Sequence, residues 1–462
     1  MDSTATLARF IASGGSPADP LGVPPSVPLT VPPAVRHETK RGFLNALGCA
    51  IGGANDAATE LLWTTLQPFA GAPGASLLGR SERTDVLTAA LVNGYATNIL
   101  DFDDTHLATV IHPGPPMLGP LLALVESHPS SLPPVSGADL LDAFLIGMEV
   151  ACRLGVAIGP GHYARGWHIT GTCGVVGAAA ASARLLRLDA ERTAAAIGIA
   201  ATQASGLSEM LGGMGKTFNI ARAGSNGLQS ALLAARGFTS SARALEAPRG
   251  FGAVLADGLD GPRLVDRLGS HWEAAANTYK PFPCGIVLHP LIDACLQIGQ
   301  AHAFEADAID AVEVRVHPLV LVLTGRTDPK DGLESKLSYT HACAVALVDR
   351  AGAVAQFTDA RALDPLIART RARVSSIVDQ TLATDQTLVT VRLTDGRVLS
   401  QRIEHAIGSR DNPMSDRAVQ AKFLALATLT LSAARAQALL DACWGIDDLP
   451  QASALIALAR VQ

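Results

Sequence analysis

The hydrophobic positions in the first half of the chain recur at the spacing of amphipathic helices. Leu87, Leu91, Tyr95 and Ile99, for example, follow one another every four residues, which places them on one helical face. Joints that contain Pro, Gly or Asp separate such segments, and no strand-like alternation interrupts them. We therefore predict helices at 35–53, 54–69, 83–105, 116–128, 137–157, 170–186, 190–207 and 218–236.

The pattern changes after the turn-forming residues 256–262 (ADGLDGP). Between 312 and 316, and again between 389 and 393, aliphatic side chains alternate with polar ones, which indicates strands. Asp395-Gly396 then leads into a third strand at 398–403, the signal of a hairpin with a type I′ turn. Further helices are predicted at 285–301, 338–350, 359–369, 415–444 and 451–460.

Together these patterns predict a mainly α protein with two domains. A large all-helical domain is built from both chain ends, residues 1–262 and 409–462. A smaller α+β domain, residues 263–408, is inserted between them. The length of 462 residues agrees with this division, because single hydrophobic cores stop growing at smaller sizes.

Composition narrows the class of protein. Hydrophobic residues make up 48% of the chain and charged residues only 17%, which favours much buried surface, including a subunit interface. The net charge of −6 comes without a basic block, so we expect no nucleic-acid partner and no anionic membrane surface. The start of the chain lacks the pattern of a signal peptide, and no uncharged run is a convincing membrane span. Seven dispersed cysteines without a C-x-x-C pair indicate free thiols, so a cytoplasmic location is expected.

Candidate chemistry concentrates between residues 93 and 116. Asp101, Asp103 and Asp104 lie close together in sequence, and the helix predicted there places Asp101, Asp104 and Thr105 on one face. His112 precedes a proline, which favours an extended backbone outside a helix. Carboxylates buried near one another raise at least one pKa and supply a general acid or base, whereas exposed carboxylates only solvate a helix end. Asp and His are also metal ligands, but no second cluster at ligand spacing supports a metal site, so no metal is expected.

His168 lies just before a segment rich in glycine and alanine. Thr170 is predicted to cap the helix that begins there, so that the free N–H groups of its first turn face whatever His168 faces. Such a helix N-terminus binds carboxylates. The alternative is that His168 is a structural histidine whose hydrogen bonds are satisfied.

Lysine is scarce in this chain, which makes each lysine informative. Only six of the 36 basic residues are lysine. Lys216 follows the glycine-rich residues 212–215, but a phosphate loop requires a glycine where Met210 stands and a strand where a helix is predicted. Lys216 is therefore predicted to be a cation for a substrate carboxylate or an oxyanion, with a solvated surface lysine as the alternative.

Two later stretches add candidates. Residues 279–295 carry Lys280, Cys284 and His289, and a buried thiol is the more common state for a cysteine such as Cys284. Lys336 and Tyr339 precede a helix, where either could be structural or functional. No G-x-S-x-G elbow and no dinucleotide-binding fingerprint occurs.

Six ordered motifs resemble those of the MmgE/PrpD family, which includes 2-methylcitrate dehydratases, cis-aconitate decarboxylases and iminodisuccinate epimerases. The motifs are NGYATNILDFDDTH followed by HPG, GWHITGTCGVVGAAAASARLLRLD, GMGK with a downstream NG, YKPFPC followed by HP, SKLSYTHACAVAL, and GSRDNPMSD. The resemblance covers nearly the whole chain. It implies a helical domain built from both chain ends, an inserted α+β lid domain, a site in the cleft between them, and a homodimer.

The resemblance also implies site residues. The family's catalytic pattern falls on Asp101, Asp103, Asp104, His112, His168 and Lys216, without singling out one aspartate. The predicted substrate-binding residues are Thr105, Thr170, Lys280, His289 and Tyr339. Family members often have serine where this chain has Gly114 and histidine where it has Asn219, and an asparagine cannot titrate.

The chemistry common to these relatives is the formation or collapse of a carbanion next to a carboxylate. We therefore expect a cofactor-independent lyase, first of all a hydro-lyase that dehydrates a small di- or tricarboxylic acid such as 2-methylcitrate. A decarboxylase of the cis-aconitate type or an epimerase of the iminodisuccinate type is the alternative, and a non-catalytic carboxylate-binding homologue is a further one. An iron–sulfur mechanism is disfavoured because no clustered cysteines are present to hold the metal.

Overall fold

The computed structural model describes residues 2–13, 29–128 and 133–461, and the chain is mainly helical. The helices in the described residues are α1 (Ser3–Ala12), α2 (Pro33–Gly52), α3 (Ala57–Leu66), α4 (Val86–Ile99), α5 (Pro115–Ser127), α6 (Gly137–Ile158), α7 (Pro160–Ala164), α8 (Ile169–Leu185), α9 (Ala190–Ala201), α10 (Met214–Ala235), α11 (Phe251–Leu255), α12 (Gly261–Val265), α13 (His289–Ala301), α14 (Pro318–Thr324), α15 (Gly332–Ser335), α16 (Tyr339–Val348), α17 (Asp359–Ala362), α18 (Pro365–Arg371), α19 (Asp416–Ala427), α20 (Ala433–Trp444) and α21 (Ser453–Ala459). The strands are β1 (Ala75–Ser76), β2 (Arg83–Thr84), β3 (Asp104–His106), β4 (Asn277–Tyr279), β5 (Ile309–Val316), β6 (Val374–Val378), β7 (Thr387–Leu393) and β8 (Val398–Ile403).

The helical part is organised around α8, which is buried along its whole length. Its small residues let neighbouring helices approach closely. A Cβ atom added to Gly177 would lie 2.6 Å from the carbonyl oxygen of Gly147 in α6. On α10, a Cβ atom added to Gly227 would lie 2.7 Å from the carbonyl oxygen of Val175. The backbone of α8 therefore packs directly against both α6 and α10, which fixes the position of the histidine at its start.

The C-terminal helices return to this helical part. Phe423 and Leu426 of α19 pack against α2 where glycines leave room. A Cβ atom on Gly48 would lie 2.9 Å from the Phe423 ring, and one on Gly52 would lie 2.7 Å from Leu426. One hydrophobic cluster contains the early helices together with side chains between Met414 and Ala459. Helices from both chain ends therefore share a core.

A second hydrophobic cluster, between Phe282 and Ala406, is built on a four-stranded sheet with α13 and α16. The strand order is β6-β5-β7-β8, with β5 and β6 parallel and the other neighbours antiparallel. The predicted alternation at 312–316 and 389–393 is confirmed, since Val312 pairs with Val391 and Val314 with Val389 in the buried face. Strand β6 was not predicted, because only its first residue is buried and its burial does not alternate.

The predicted hairpin is confirmed, but its turn type is wrong. The N–H of Gly396 donates to the carbonyl of Leu393 at 3.0 Å, so Thr394 and Asp395 are the central residues of the turn. Gly396 has a φ of +90°, whereas Asp395 is absent from the residues of positive φ. A type I′ turn needs positive φ at both central residues, so the glycine follows the turn instead of forming its centre.

The predicted fold class is confirmed as mainly α with a smaller α+β part, while the domain limits at 262/263 and 408/409 stay predictions. Some predicted elements differ from the observed ones. The segment 359–369 is divided at Pro365, and 415–444 is divided between α19 and α20. Strands β1, β2 and β3 lie in the part predicted to be free of strands, where β1 pairs with β2 and β3 pairs with the later strand β4. Within the described residues, no helix is both long and apolar enough to cross a membrane.

Candidate active site

A cavity of about 130 Å³ lies where the helical part meets the α+β part. The helical side contributes Asp101, His112, His168 and Lys216. The α+β side, taken from Phe282 onward, where the second hydrophobic cluster begins, contributes aliphatic side chains around one cation, Lys336. Pockets for drug-sized ligands usually measure about 300–1,000 Å³, so this cavity suits a small metabolite.

Helix α4 ends before Asp101, so that Asp101 lies in the loop that borders the cavity. The helix stops at Ile99, and Asp101 adopts a left-handed conformation with a φ of +52°. Its N–H donates to the carbonyl of Asn98 at 2.7 Å. The predicted helix through residue 105 is therefore wrong beyond Ile99, and Asp101, Asp104 and Thr105 do not share a helical face. Aspartate tolerates the left-handed region better than most residues, which is why the chain turns there without a glycine.

Strand β3 then pairs with β4, which comes from far along the chain. Asp104 faces Tyr279 and Thr105 faces Thr278 in an antiparallel register. Lys280 follows directly after β4, and its N–H donates to the carbonyl of Asp103 at 3.3 Å. The register of this ribbon therefore brings Lys280 beside the aspartates.

Asp101 is shared by two lysines. Its Oδ1 accepts hydrogen bonds from the Nζ of Lys216 at 2.6 Å and of Lys280 at 2.9 Å. Burial alone would raise the pKa of Asp101, but the two ammonium groups outweigh burial and hold that pKa well below its ordinary value. For Lys280, burial would lower the pKa, and Asp101 and Asp103 reverse the shift. The three groups form a charged cluster with one more positive charge than negative.

His112 is fixed at one ring nitrogen. Its Nδ1 lies 2.8 Å from the carbonyl oxygen of Asp104 and 3.2 Å from Oδ2 of Asp103. Because both neighbours only accept, Nδ1 carries a proton and Nε2 remains for the cavity. Burial would raise the pKa of Asp103, but His112 and the lysines lower it to about 2. The carboxylate of Asp103 therefore stays ionised next to the imidazole of His112.

Asp104 lies deeper and is held differently. Its carboxylate accepts from the N–H of Gly114 at 3.1 Å and from Nδ2 of Asn277 at 2.7 Å. Burial, and the neighbouring Asp103, raise its pKa to about 6. This agrees with the expectation that carboxylates buried together would raise at least one pKa. The side chain does not line the cavity, so its contact with Gly114 and Asn277 positions the loop.

His168 lies at the cavity wall as the residue that precedes α8. Burial lowers its pKa to about 3, and Lys216 adds to that shift, so the imidazole is neutral near pH 7. The predicted cap by Thr170 is wrong, since His168 occupies the cap position and Thr170 lies in the first turn. The Thr170 hydroxyl oxygen instead accepts the N–H of His112 at 3.1 Å.

The helix N-terminus at the cavity belongs to α10. Gly212, Gly213, Lys216 and Thr217 line the cavity, and Gly213 precedes the helix without a side-chain cap. Met214 begins this helix, four residues earlier than predicted, so Lys216 lies in its first turn. The positive end of the helix dipole therefore adds to the lysine charges, in the role that was expected of α8.

The structure brings together six of the eleven predicted site residues at the cavity wall. The six are Asp101, Thr105, His112, His168, Lys216 and Lys280. Asp103, Asp104 and Thr170 lie behind that wall and hold His112 or its loop. His289 and Tyr339 lie elsewhere. Tyr339 belongs to the second hydrophobic cluster, and the His289 ring packs edge-on against Phe282 of the same cluster.

Three residues at or behind the cavity wall are not among the eleven predicted site residues, although Lys336 was considered as a candidate. Asn98 donates to Asp103 at 2.8 Å and accepts from Thr217 at 3.1 Å, which fixes the carboxylate that faces His112. Lys336 lines the cavity, and Lys422 lies buried behind it. The scarcity of lysine was a signal for both, since three of the six lysines are buried here.

The two departures from the family pattern lie outside the cavity wall. Asn219 donates from Nδ2 to the carbonyl of Leu207 at 3.2 Å. Gly114 lies beneath Asp104, where a Cβ atom would be 3.0 Å from both carboxylate oxygens. Among the described residues, the group with metal-ligand spacing is Asp385, His405 and Asp411, and none of them lines the cavity.

Comparison with known proteins gives two family matches and a consistent set of relatives. The MmgE/PrpD N-terminal domain matches residues 29–262, and the MmgE/PrpD C-terminal domain matches residues 282–446. The chain is 27% identical to a cis-aconitate decarboxylase of Homo sapiens, over 92% of this chain and 90% of the relative. It is 26% identical to that of Mus musculus, over 92% and 89%. It is 25% identical to that of Aspergillus terreus, over 92% and 91%.

Proposed function

The chain belongs to the MmgE/PrpD family, and from this premise we propose that it decarboxylates a small unsaturated tricarboxylic acid of the cis-aconitate type. It is a lyase-type enzyme, and the relatives compared above are named cis-aconitate decarboxylase. The observation that carries the proposal is the cavity in which Lys216 and Lys280 share Asp101 beside His112. The homodimer expected from the resemblance stays a prediction.

Lys216 and Lys280 are the proposed carboxylate-binding residues. Their shared contact with Asp101 holds both ammonium groups in fixed positions at the cavity wall. A substrate carboxylate then meets donors that need no reorganisation. The start of α10 adds a helix N-terminus to the same wall.

The reaction needs one proton. The bond between the methylene carbon and the departing carboxylate breaks, and its electron pair forms a new carbon–carbon double bond to the central carbon. The electron pair of the original double bond moves to the carbon next to a second carboxylate. Carbon dioxide leaves, and the remaining carbanion, delocalised as an enolate, takes one proton at carbon. The lysines offset the negative charge of this enolate. One tricarboxylate and one proton therefore give one dicarboxylate and one carbon dioxide.

His112 is the proposed acid. Nδ1 donates to the backbone and to Asp103, so Nε2 is the nitrogen that faces the substrate. The Asp103 carboxylate stabilises the imidazolium form, which carries the proton to be transferred. His168 is neutral and binds the substrate as a hydrogen-bonding partner.

Dehydration of a hydroxy acid such as 2-methylcitrate, the first expectation from the sequence, is the second candidate. Elimination of water needs a base as well as an acid. The pairing of a neutral His168 with His112, whose Nδ1 lies 3.2 Å from Asp103, at one cavity favours this candidate. The non-catalytic alternative loses support, because Asn219 and Gly114 lie outside the cavity wall.

The test is incubation of the purified protein in deuterated water with cis-aconitate and, separately, with 2-methylcitrate. Decarboxylation predicts carbon dioxide from cis-aconitate and one carbon-bound deuterium per product molecule, measured by mass spectrometry. Elimination from 2-methylcitrate without carbon dioxide from cis-aconitate would support the second candidate, and inertness toward both would support a binding protein. Lys216→Ala should lose most of kcat/KM, while the matched Lys330→Ala, at an exposed lysine, should keep it.

A further inference from the structure

The four lysines in or behind the cavity wall differ in how many of their hydrogen bonds are made. A lysine ammonium has three N–H donors. Lys216 and Lys280 each bind the carboxylate of Asp101. Lys422 donates to Oδ1 of Asn45 and to the carbonyls of Phe102 and Lys280, so all its donors are used. In the described parts of the chain, Lys336 makes a single hydrogen bond, to the carbonyl of Ile99 at 2.9 Å, and no ion pair.

Lys336 reaches the cavity from the α+β part. Its backbone carbonyl accepts from the N–H of Gly285 at 2.9 Å, which anchors it in that part. Its side chain crosses to the last turn of α4, and the residue is only 7% exposed. Unlike Lys422, it lines the cavity. Two N–H donors of Lys336 are therefore left without a protein partner beside the space where a ligand would lie.

A purely structural role accounts for only part of this arrangement. A lysine near a helix C-terminus stabilises the last carbonyls and the negative end of the dipole, and the bond to Ile99 does this. A buried charge without a partner is costly, however. Lys422 demonstrates how this chain satisfies a buried lysine that lacks a carboxylate, with three acceptors. Lys336 lacks two of them.

We propose that Lys336 binds a carboxylate of the ligand from the α+β side of the cavity, while Lys216 and Lys280 bind from the helical side. The ligand is then a polycarboxylate whose carboxylates contact both parts of the protein at once. This inference rests on the proposed function for the class of ligand, but not on the type of reaction. It gives the α+β part a direct role in recognition.

The charges around Lys336 link this binding to protonation. The groups that face it are Asp101 and Asp56, Lys216 and Lys280, and the thiol of Cys284. Burial lowers the pKa of Lys336 to about 8, although Asp101 and Asp56 oppose that shift. A bound carboxylate raises the pKa again, so binding near pH 8 draws a proton from solution. With a pKa near the working pH, uptake should be roughly half a proton per site.

The experiment measures proton-linked binding of tricarballylate, a saturated tricarboxylate that lacks the double bond and the hydroxyl group of the candidate substrates. Calorimetric titrations at pH 8 in Tris and in EPPS, which differ in ionisation enthalpy, give both Kd and the number of protons taken up. Lys336→Met should raise Kd roughly 10- to 100-fold and remove the uptake. Lys336→Arg should keep a Kd near that of the unmutated protein yet also remove the uptake, because arginine stays charged. The matched Lys330→Met, at an exposed lysine of the same part, should change neither quantity.

The outcomes separate this inference from the proposed reaction. If Lys336→Arg keeps the full proton uptake, or if Lys336→Met binds as tightly as the unmutated protein, Lys336 does not bind the ligand. Failure of the unmutated protein to bind tricarballylate would overturn the inference as well. If cis-aconitate yields no carbon dioxide but the predicted uptake occurs and depends on Lys336, the inference stands and the proposed reaction fails.

Discussion

Asp103 does not line the cavity, so in the proposed reaction it acts only through His112. Its carboxylate lies 3.2 Å from Nδ1 of His112, is fully buried, and is held by Nδ2 of Asn98 at 2.8 Å. An asparagine at this position would keep the shape and the amide contact but remove the negative charge. The imidazolium of His112 would then lose its anion, and the acid form would become harder to populate.

We therefore predict that Asp103→Asn lowers kcat by roughly 10²- to 10⁴-fold with little change in KM, by analogy with other aspartate–histidine pairs. The alkaline limb of the kcat profile should move to lower pH, because a histidine without its anion loses its proton earlier. Steady-state rates between pH 5 and 9 measure both effects. Asp328→Asn, at an exposed aspartate, is the control. An unshifted profile in Asp103→Asn would remove Asp103 from the proton-transfer unit.

Gly114 is the residue beneath the other buried carboxylate. Its backbone φ of −67° suits any residue, so only space restricts the position. A Cβ atom would lie 3.0 Å from both oxygens of Asp104 and 3.2 Å from the Cβ of Ala46. Serine, which many family members have here, would bring the same crowding but also a hydroxyl that can donate to Asp104.

Gly114→Ala should therefore lower the free energy of unfolding by about 1–3 kcal/mol through overpacking, and Gly114→Ser should lower it less. Urea denaturation of both variants measures the difference. Gly445→Ala is the matched control, because its added Cβ meets nothing closer than 3.5 Å. If Gly114→Ala is as stable as that control, the close packing under Asp104 is not a constraint.

Helix α19 holds the site from behind through one side chain. Lys422 connects Asn45 of α2 with the carbonyls of Phe102 and Lys280, and its ammonium lies 4.1 Å from the centre of the Phe102 ring. Burial lowers the pKa of Lys422 to about 8. The loop after α4 and the residue after β4 are thus joined to a C-terminal helix by a single group.

Lys422→Met keeps most of the side-chain volume but leaves three buried acceptors without a donor. We predict a loss of about 2–5 kcal/mol in the free energy of unfolding together with a fall in kcat, since Lys280 and Phe102 flank the aspartates. Chemical denaturation and steady-state kinetics test this, with the exposed Lys330→Met as control. Unchanged stability in Lys422→Met would mean that water replaces the ammonium, and that α19 does not support the site.

The elements that the sequence predicts well are those determined by their own residues. The helices of the first half were predicted from glycine, proline and hydrophobic spacing, and β8 was predicted to the residue because it follows the turn signal Asp395-Gly396. The continuation of α4 to Thr105 was wrong because Asp101 turns the chain without glycine or proline. The sequence around that turn contains no local stop signal, and two distant lysines supply the contact that holds it.

The same distinction applies to the site residues. Asp101, His112 and His168 were found because they lie in distinctive local motifs. Lys280 reaches Asp101 through the β3–β4 register, a pairing of segments more than 170 residues apart that no local pattern reveals. Tyr339 was expected at the site, but it begins α16 and packs into the second hydrophobic cluster. Tertiary pairing, not local preference, decided both outcomes.

At the scale of the whole molecule, neutral histidines are buried in both parts of the chain. His168 lies in the helical part, and His289 and His341 lie in the α+β part. Burial lowers the pKa of His168 and of His289 to about 3, and that of His341 to about 4. In the unfolded chain these groups titrate near 6.5. Below that pH the unfolded state binds more protons than the folded state, so each histidine makes folding stability fall as the pH falls.

Other buried groups make folding stability rise as the pH falls, so a test of the histidine effect must isolate one histidine. The raised pKa values of Asp104 and Glu149, for example, add protons to the folded state at mildly acidic pH. His341 is suited to this purpose because its Nε2 donates to the carbonyl of Gln356 at 2.8 Å, and it lies outside the cavity wall. His341→Gln keeps a donor but cannot titrate, and the difference between variant and unmutated protein cancels the contributions of other groups.

We predict that His341→Gln is destabilised at pH 7 and that this destabilisation shrinks as the pH falls. The unmutated protein loses up to about 1.4 kcal/mol per pH unit from this histidine between pH 6.5 and the folded pKa near 4, whereas the variant does not. The difference in unfolding free energy should therefore narrow by about 2–3 kcal/mol between pH 7 and pH 4.5. Urea denaturation at half-unit intervals measures it, with the exposed His302→Gln as the control. A difference that stays constant with pH would mean that His341 titrates in the folded protein as it does in the unfolded chain, and does not contribute to acid sensitivity.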